Sequence, residues 1–415
     1  MTIATALILD RQEPSRPPQP TRSTPVSLTS ADVARIARRV ERIRHLRFVR
    51  PVKPLFVGRA EAIRLEQEGS QEEYPQSRQR ADEEALKLIG LMRPEDSLAK
   101  ATDAIAREQV LGFYDNRRKR LVVVRDRRAN RPLLEITLAH ELVHALEDQR
   151  FGLRENADPN DDTALAETAL AEGTATEVMA EYAVRNFGIR DALGLFEAAG
   201  STDTKLPAYV EDTLLFPYEQ GLEFVETLRG ASRSWKAVDN VLRLRRPSTE
   251  EQVLHTVKYA VDERAAAVGM PDLGLVLGGG WQRLGASSVG ELDLRELFKI
   301  VGRRRDDAAA AGWGGGRFEL WRRDPGGSCP SPCVTKDVGA MKLAWDTASD
   351  GRVAERALGR AFVKGLDART VGGRAGVRLW TSRGGAIAMR GSGSSTAIVF
   401  APDSRTAARV LATLV

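Results

Sequence analysis

At 415 residues, with 42% hydrophobic and 29% charged side chains, the chain is long enough for two domains and has the balance expected of a soluble globular protein and not of a disordered or membrane one. A net charge of +5, with 62 basic against 57 acidic residues, permits contact with acidic surfaces but makes no specific case for nucleic acid, and none is expected. No run of eighteen apolar residues occurs, so no membrane-spanning helix is expected.

Residues 1 to 29 form a lead-in in which Pro14, Pro17, Pro18, Pro20 and Pro25 lie among Ser, Thr and Arg, a composition that cannot bury a core and reads as flexible. Met1 to Leu9 is apolar but short, lacks a preceding basic residue and has no small-residue cleavage pattern, so it fails as a signal peptide. From Ser30 the pattern becomes helical. Ser30 or Asp32 is placed to cap a helix whose apolar positions Val33, Ile36, Ala37, Val40, Ile43 and Leu46 share one side, and its Arg-rich face reads as solvated. A short strand follows at Val52 to Val57, then helices at Arg59 to Glu68 and Arg78 to Met92. Two β-rich runs between Val110 and Val124 flank Asp115 and Asn116, which predicts a hairpin with Leu121 to Val124 as its second strand.

The next helix, Thr137 to Leu146, carries His140, Glu141 and His144 in H-E-x-x-H order. Positions i and i+4 lie one turn apart on one face, so both imidazoles can reach a single metal ion with Glu141 beside it. That spacing is a zinc-peptidase signature. A catalytic zinc takes three protein ligands and keeps one open position. The helix from Thr163 to Tyr182 offers the third ligand, and Glu172 is preferred over Glu167, Glu177 and Glu181 because Gly173 beside it allows close backbone approach to the metal or to the first helix.

These residues resemble the gluzincin clan of zinc metallopeptidases, to which thermolysin and the zinc aminopeptidases belong, where the third ligand of the aminopeptidases is likewise the Glu of a Glu-Gly-x-Ala segment. More narrowly, the chain is similar to a group of bacterial metallopeptidases in Gly112 to Asp115, His140 to Gln149, Glu172 to Ala175, Phe216 to Gly221, Pro247 to His255, Lys258 with Tyr259, and Gly312 to Gly315. The resemblance implies one Zn²⁺ held by His140, His144 and Glu172, and hydrolysis of a peptide or protein substrate by a zinc-bound water with Glu141 as general base. It also implies that the strand Leu121, Val122, Val123 and Val124 aligns an extended peptide by β-addition. The alternative is a catalytically degenerate zincin fold serving as a metal-binding or partner-binding envelope protein.

A developing oxyanion needs a second donor. His255 and Tyr259, one turn apart on a helix expected from Thr249 to Tyr259, are the candidates; His255 can instead be a buried, hydrogen-bonded residue. Asp148, one turn beyond His144, could accept a hydrogen bond from a ligand imidazole or be an exposed helix-end carboxylate.

The expected fold is α+β: a zincin-like peptidase domain over residues 30 to 267 with a mainly helical C-terminal lobe, a connecting segment over 268 to 311, and a small α+β accessory domain over 312 to 415. Strands are expected at Arg317 to Trp321, Met341 to Trp345, Val377 to Thr381, Ala386 to Arg390 and Thr396 to Phe400, with helices at Asp350 to Val363 and Ser404 to Leu414. Gly278 to Gly280 and Gly314 to Gly316 lack the Lys-Ser/Thr ending of a phosphate loop and read as turns. Cys329 and Cys333 are either a small-loop disulfide or two free thiols.

Overall fold

The computed structural model describes residues 28 to 415 except 110, 126–129, 154–161, 201–204, 302–306, 374–375 and 383. The lead-in up to residue 27 and most of the loop between the two site helices lie outside the described residues. The fold is α+β, a helical N-terminal region followed by an antiparallel seven-stranded sheet with helices.

The N-terminal region runs α1 (Ser30–Arg44), β1 (Pro54–Val57), α2 (Arg59–Glu73), α3 (Gln76–Ile89), α4 (Leu98–Gln109), β2 (Gly112–Asp115), β3 (Arg120–Val124), α5 (Arg131–Phe151), α6 (Asp162–Phe187), α7 (Ile189–Gly200), α8 (Ala208–Arg229), α9 (Lys236–Leu244), α10 (Glu250–Leu254), α11 (Thr256–Ala260) and α12 (Leu273–Leu277). The sheet region follows as β4 (Trp281–Ser288), α13 (Glu291–Lys299), α14 (Asp307–Ala310), β5 (Trp313–Arg323), β6 (Asp337–Trp345), α15 (Ala348–Gly365), β7 (Arg369–Gly372), β8 (Arg378–Ser382), β9 (Gly385–Ser392), β10 (Ser395–Ala401) and α16 (Ser404–Leu414).

Thr29, not Ser30 or Asp32, is the N-cap of α1: its side chain accepts from the Asp32 amide while the Asp32 carboxylate accepts from the Thr29 amide. The apolar stripe Val33, Ile36, Val40 and Ile43 is buried in one core with Leu138, Leu142 and Leu146 of α5 and Val178 and Tyr182 of α6. The Arg-rich face of α1 is not simply solvated. Arg35 donates to Glu135 and Asp32, Arg39 to Tyr182, and the fully buried Arg44 pairs with Glu147 and Asp239 while lying 4.5 Å from the Trp235 ring centroid. Those three cations hold helices together.

The hairpin expected around Asp115 forms, pairing Gly112–Asp115 with Arg120–Val124, but β1 adds in parallel on the other side to give the order β1-β3-β2. β3 is therefore the central strand. Leu121, Val122, Val123 and Val124 are all buried, with both backbone edges already paired, so they cannot receive a peptide by β-addition.

The large sheet has the order β4-β5-β6-β10-β9-β8-β7. It begins at Trp281, inside the segment read as a connector, because β4 pairs with β5. Gly314 to Gly316 lie within β5, not in a turn, and the bulge between Trp313 and Gly315 lets the Gly314 carbonyl accept from the Ala266 amide at 2.7 Å. One sheet face packs on α15 and α13 through Phe362, Leu358, Phe298 and Trp380; the other packs on α16 and α12 through Val410, Leu411, Leu273 and Val399. Leu88 and Ile89 of α3 belong to the first of these cores, so the two regions share a seam. Cys329 and Cys333 are disulfide-bonded in the β5–β6 connection, and the Cys333 amide donates to Glu84 of α3. Among the described residues no helix is long and apolar enough to cross a membrane.

Candidate metal centre

The site sits where α5, α6 and α8 meet. α5 is buried on most sides, which suits a helix with Leu138, Leu142 and Val143 packed inward and His140 and His144 turned toward α6. α6 presents Glu172 opposite them. The His140 Nε2 lies 2.9 Å from Glu172 Oε2 and 3.1 Å from His144 Nε2, and His144 Nε2 lies 3.4 Å from Glu172 Oε1.

These distances fit a shared cation. Two imidazole nitrogens bonded at 2.0–2.1 Å to one tetrahedral metal are about 3.3 Å apart. The two Nε2 atoms here nearly reach that separation. His140, His144 and Glu172 are thus a group that could hold a metal ion. Burial opposes charge on His144, but the Glu172 carboxylate overrides it and pushes the imidazole up to about 9. Burial likewise works against the Glu172 carboxylate, and the two histidines outweigh it, holding that group far below the usual range. Each shift registers how strongly the three groups converge.

The other acids of α6 are spent elsewhere. Glu177 is ion-paired with Arg229 and Arg233, Glu181 with Arg185, and Glu167 faces Arg246. Gly173 does allow a close approach, though not to the metal or α5: a Cβ there would lie 2.7 Å from the Leu222 amide nitrogen of α8 and collide with the Gly221 carbonyl.

Glu141 sits close enough to His140, His144 and Glu172 to feel their charges, and burial raises its carboxyl pKa above the usual range. Its Oε2 accepts from the Tyr114 amide of β2 at 2.8 Å. Asp148 does not touch a ligand imidazole. It is buried and accepts from the Tyr114 hydroxyl and from Lys119 Nζ, each at 2.7 Å, pinning the hairpin to α5.

The expected helix through His255 and Tyr259 is broken. α10 ends and α11 begins at His255, whose φ of −127° and ψ of 84° are not helical. The His255 Nε2 is 3.0 Å from Glu291 and 3.4 Å from Arg295, and the buried Tyr259 donates to the Arg245 carbonyl at 2.6 Å. Both have partners outside the His140, His144 and Glu172 group.

The phenol that does reach it is Tyr218, on α8 immediately after Pro217. Its ring lies over His140 with centroids 6.1 Å apart and an interplanar angle of 27°. The side chain is otherwise exposed, and the nearby Glu172 charge pushes this phenol well above its ordinary pKa. Tyr218 lies inside the Phe216 to Gly221 segment, and that segment was its only sequence signal.

A second acidic trio, Glu251, Glu263 and Asp346, surrounds Lys258 Nζ at 2.6, 2.7 and 2.6 Å. The ammonium fills the position a metal would take.

A family described as a domain of unknown function (DUF8575) matches residues 279–411, which is the seven-stranded sheet region and not the metal centre. No curated protein and no solved structure matches the chain.

Proposed function

We propose that the N-terminal region is a zincin-like, gluzincin-type peptidase that uses one Zn²⁺ to hydrolyse peptide bonds. The observation that carries this reading is the convergence of His140, His144 and Glu172 with Glu141 alongside, two imidazoles and one carboxylate being the donor set of a catalytic zinc with an open position. Zinc bound there would lower the pKa of a coordinated water toward neutrality and polarise a carbonyl.

The chain's own residues supply the rest. Glu141 is the proton acceptor: burial raises its affinity for a proton, and the Tyr114 amide fixes one of its oxygens and leaves the other to take the proton and pass it to the leaving amine. β2 is the edge strand beside α5, so it replaces β3 as the strand along which an extended substrate would lie.

The test is Glu141→Gln in the full chain. Zinc should bind with wild-type stoichiometry while hydrolysis of a casein-type substrate falls by roughly 10²–10⁴-fold. An active variant would remove Glu141 from the proton transfer. Stoichiometric zinc without turnover in the wild-type chain would leave a metal-binding protein instead.

A further inference from the structure

Tyr114 touches α5 twice. Its backbone amide donates to Glu141 Oε2 at 2.8 Å, and its hydroxyl donates to Asp148 Oδ2 at 2.7 Å. Glu141 and Asp148 are seven residues apart, two turns or about 10 Å along one face of the helix. One residue of β2 therefore brackets the stretch of α5 that carries His144.

The pairing of the hairpin leaves that amide available. Tyr114 lies opposite Leu121, and the Val124 amide donates to the Leu111 carbonyl at 3.1 Å. Bonded pairs alternate along an antiparallel ladder, so the backbone groups of Leu111 and Phe113 face β3 while the N–H of Tyr114 points away from it. An outward edge amide has no partner within its own sheet, and here the Glu141 carboxylate takes it.

The other end of the bracket is firmly held. Asp148 is buried, and its second oxygen accepts from Lys119 Nζ at 2.7 Å and from the Leu153 amide at 3.1 Å. Lys119 belongs to the turn of the same hairpin, where it adopts a left-handed φ of 51°. Strand and turn are thus tied to one carboxylate.

We infer that Tyr114 is a positioning residue for Glu141: its hydroxyl, held by Asp148 and Lys119, sets where its own amide meets the Glu141 carboxylate. The inference rests on reading Glu141 as the proton acceptor. Proton transfer by a side chain is sensitive to displacements of about 1 Å, and a carboxylate with one oxygen fixed presents the other in one place. Without the hydroxyl, β2 keeps its ladder to β3 but loses its fixed height along α5.

The experiment uses the full chain as wild type, Tyr114→Phe, Asp148→Ala and the double variant. Amide hydrogen exchange of the metal-free proteins, resolved at residues 113 and 114, is paired with kcat and KM on a casein-derived peptide and with zinc affinity by chelator competition. In Tyr114→Phe the residue-114 amide should exchange about 10–100-fold faster while the residue-113 amide, bonded to β3, keeps its protection. Its kcat should fall about 10–100-fold with KM and zinc affinity within twofold of wild type. The double variant should lose little more than the worse single one, because both substitutions break the same contact. Unchanged exchange at residue 114, equal acceleration at 113 and 114, or a kcat within twofold of wild type would each overturn the proposal. A wild-type chain that binds zinc and turns nothing over would instead remove the peptidase reading, and the positioning role with it.

Discussion

Gly173 and Gly221 face each other backbone to backbone where α6 crosses α8, and one side chain at either position would push the helices apart. A Cβ on Gly173 would lie 2.7 Å from the Leu222 nitrogen, and one on Gly221 would lie 2.8 Å from the Ala169 carbonyl carbon. Neither contact can be relieved by turning a flexible side chain, because the colliding atoms are backbone. Gly173→Ala and Gly221→Ala should therefore each destabilise the protein by about 3 kcal/mol or more. Gly194→Ala in α7, where nothing lies within 4 Å, should be neutral or stabilise by about 0.5–1 kcal/mol. Urea midpoints of the three variants decide it; equal, small shifts in all three would show that the crossing is not close-packed.

Glu172 and Glu177 sit on the same helix and do opposite work. Glu172→Gln should abolish stoichiometric zinc binding and also lower the metal-free melt, since the two histidines that hold this carboxyl far below its usual range lose their charged partner. Glu177→Gln should keep zinc and lower stability by about 1–3 kcal/mol, because the buried Arg229 loses its charged partner. A chelator titration paired with a melt separates the two variants. Glu177 is pushed up to about 7 by burial, only partly offset by Arg229 and Arg233, which is why its removal costs less than that of a fully charged partner.

The local features were legible because they depend on spacing. His140, Glu141 and His144 need only a helix, and the preference for Glu172 followed from the glycine beside it, although that glycine serves α8 and not the metal. What could not be read was anything set by partners distant in sequence. β3 looked like an edge strand because β1, 67 residues before its pairing partners, belongs to no local pattern with it; only the parallel register that sets Pro54 against Leu121 and Val57 against Val124 closes that edge. His255 looked available because the seam that occupies it is formed by Glu291 and Arg295 from another region. The same seam explains the Pro247 to Tyr259 segment: Thr249 caps α10, Glu250 accepts from the Leu292 amide, and Glu251 holds Lys258. Tyr218 was invisible for the same reason, since a ring on α8 comes to lie over His140 of α5 only through the packing of distant helices.

Acid should weaken the tie between α1 and α5. Burial works against the Asp32 carboxylate, but hydrogen bonds from Arg35 and Thr29 and the charge of Arg131 together bring it down to about 2. A depressed folded-state pKa stabilises the fold above the unfolded value near 4, and the contribution is lost as pH falls from about 4 to about 2. With the side chain partly solvated, its worth is roughly 1–2 kcal/mol. Asp32→Asn should therefore cost about that much at pH 7 and almost nothing at pH 2, measured as the difference in urea midpoint. A penalty independent of pH would mean that the capping geometry matters and the charge does not.

The sheet region should not be removable without harm to the helices that precede it. Leu88 of α3 is buried in the sheet core, and a Cβ on Gly339 of β6 would lie 2.9 Å from its Cδ2, so the helix rests directly on the strand. Arg322 of β5 reaches Glu84 at 2.7 Å, and Tyr209 of α8, the helix that carries Tyr218, donates to Asp293 of α13 at 2.7 Å. Leu88→Ala should cost about 2–4 kcal/mol and be felt on both sides of the seam. Native-state hydrogen exchange checks this: amides of α3 and of β6 should lose the same protection free energy in the variant. Protection lost in α3 alone would show two independently stable regions, and a chain ending at residue 278 would then keep its metal centre intact.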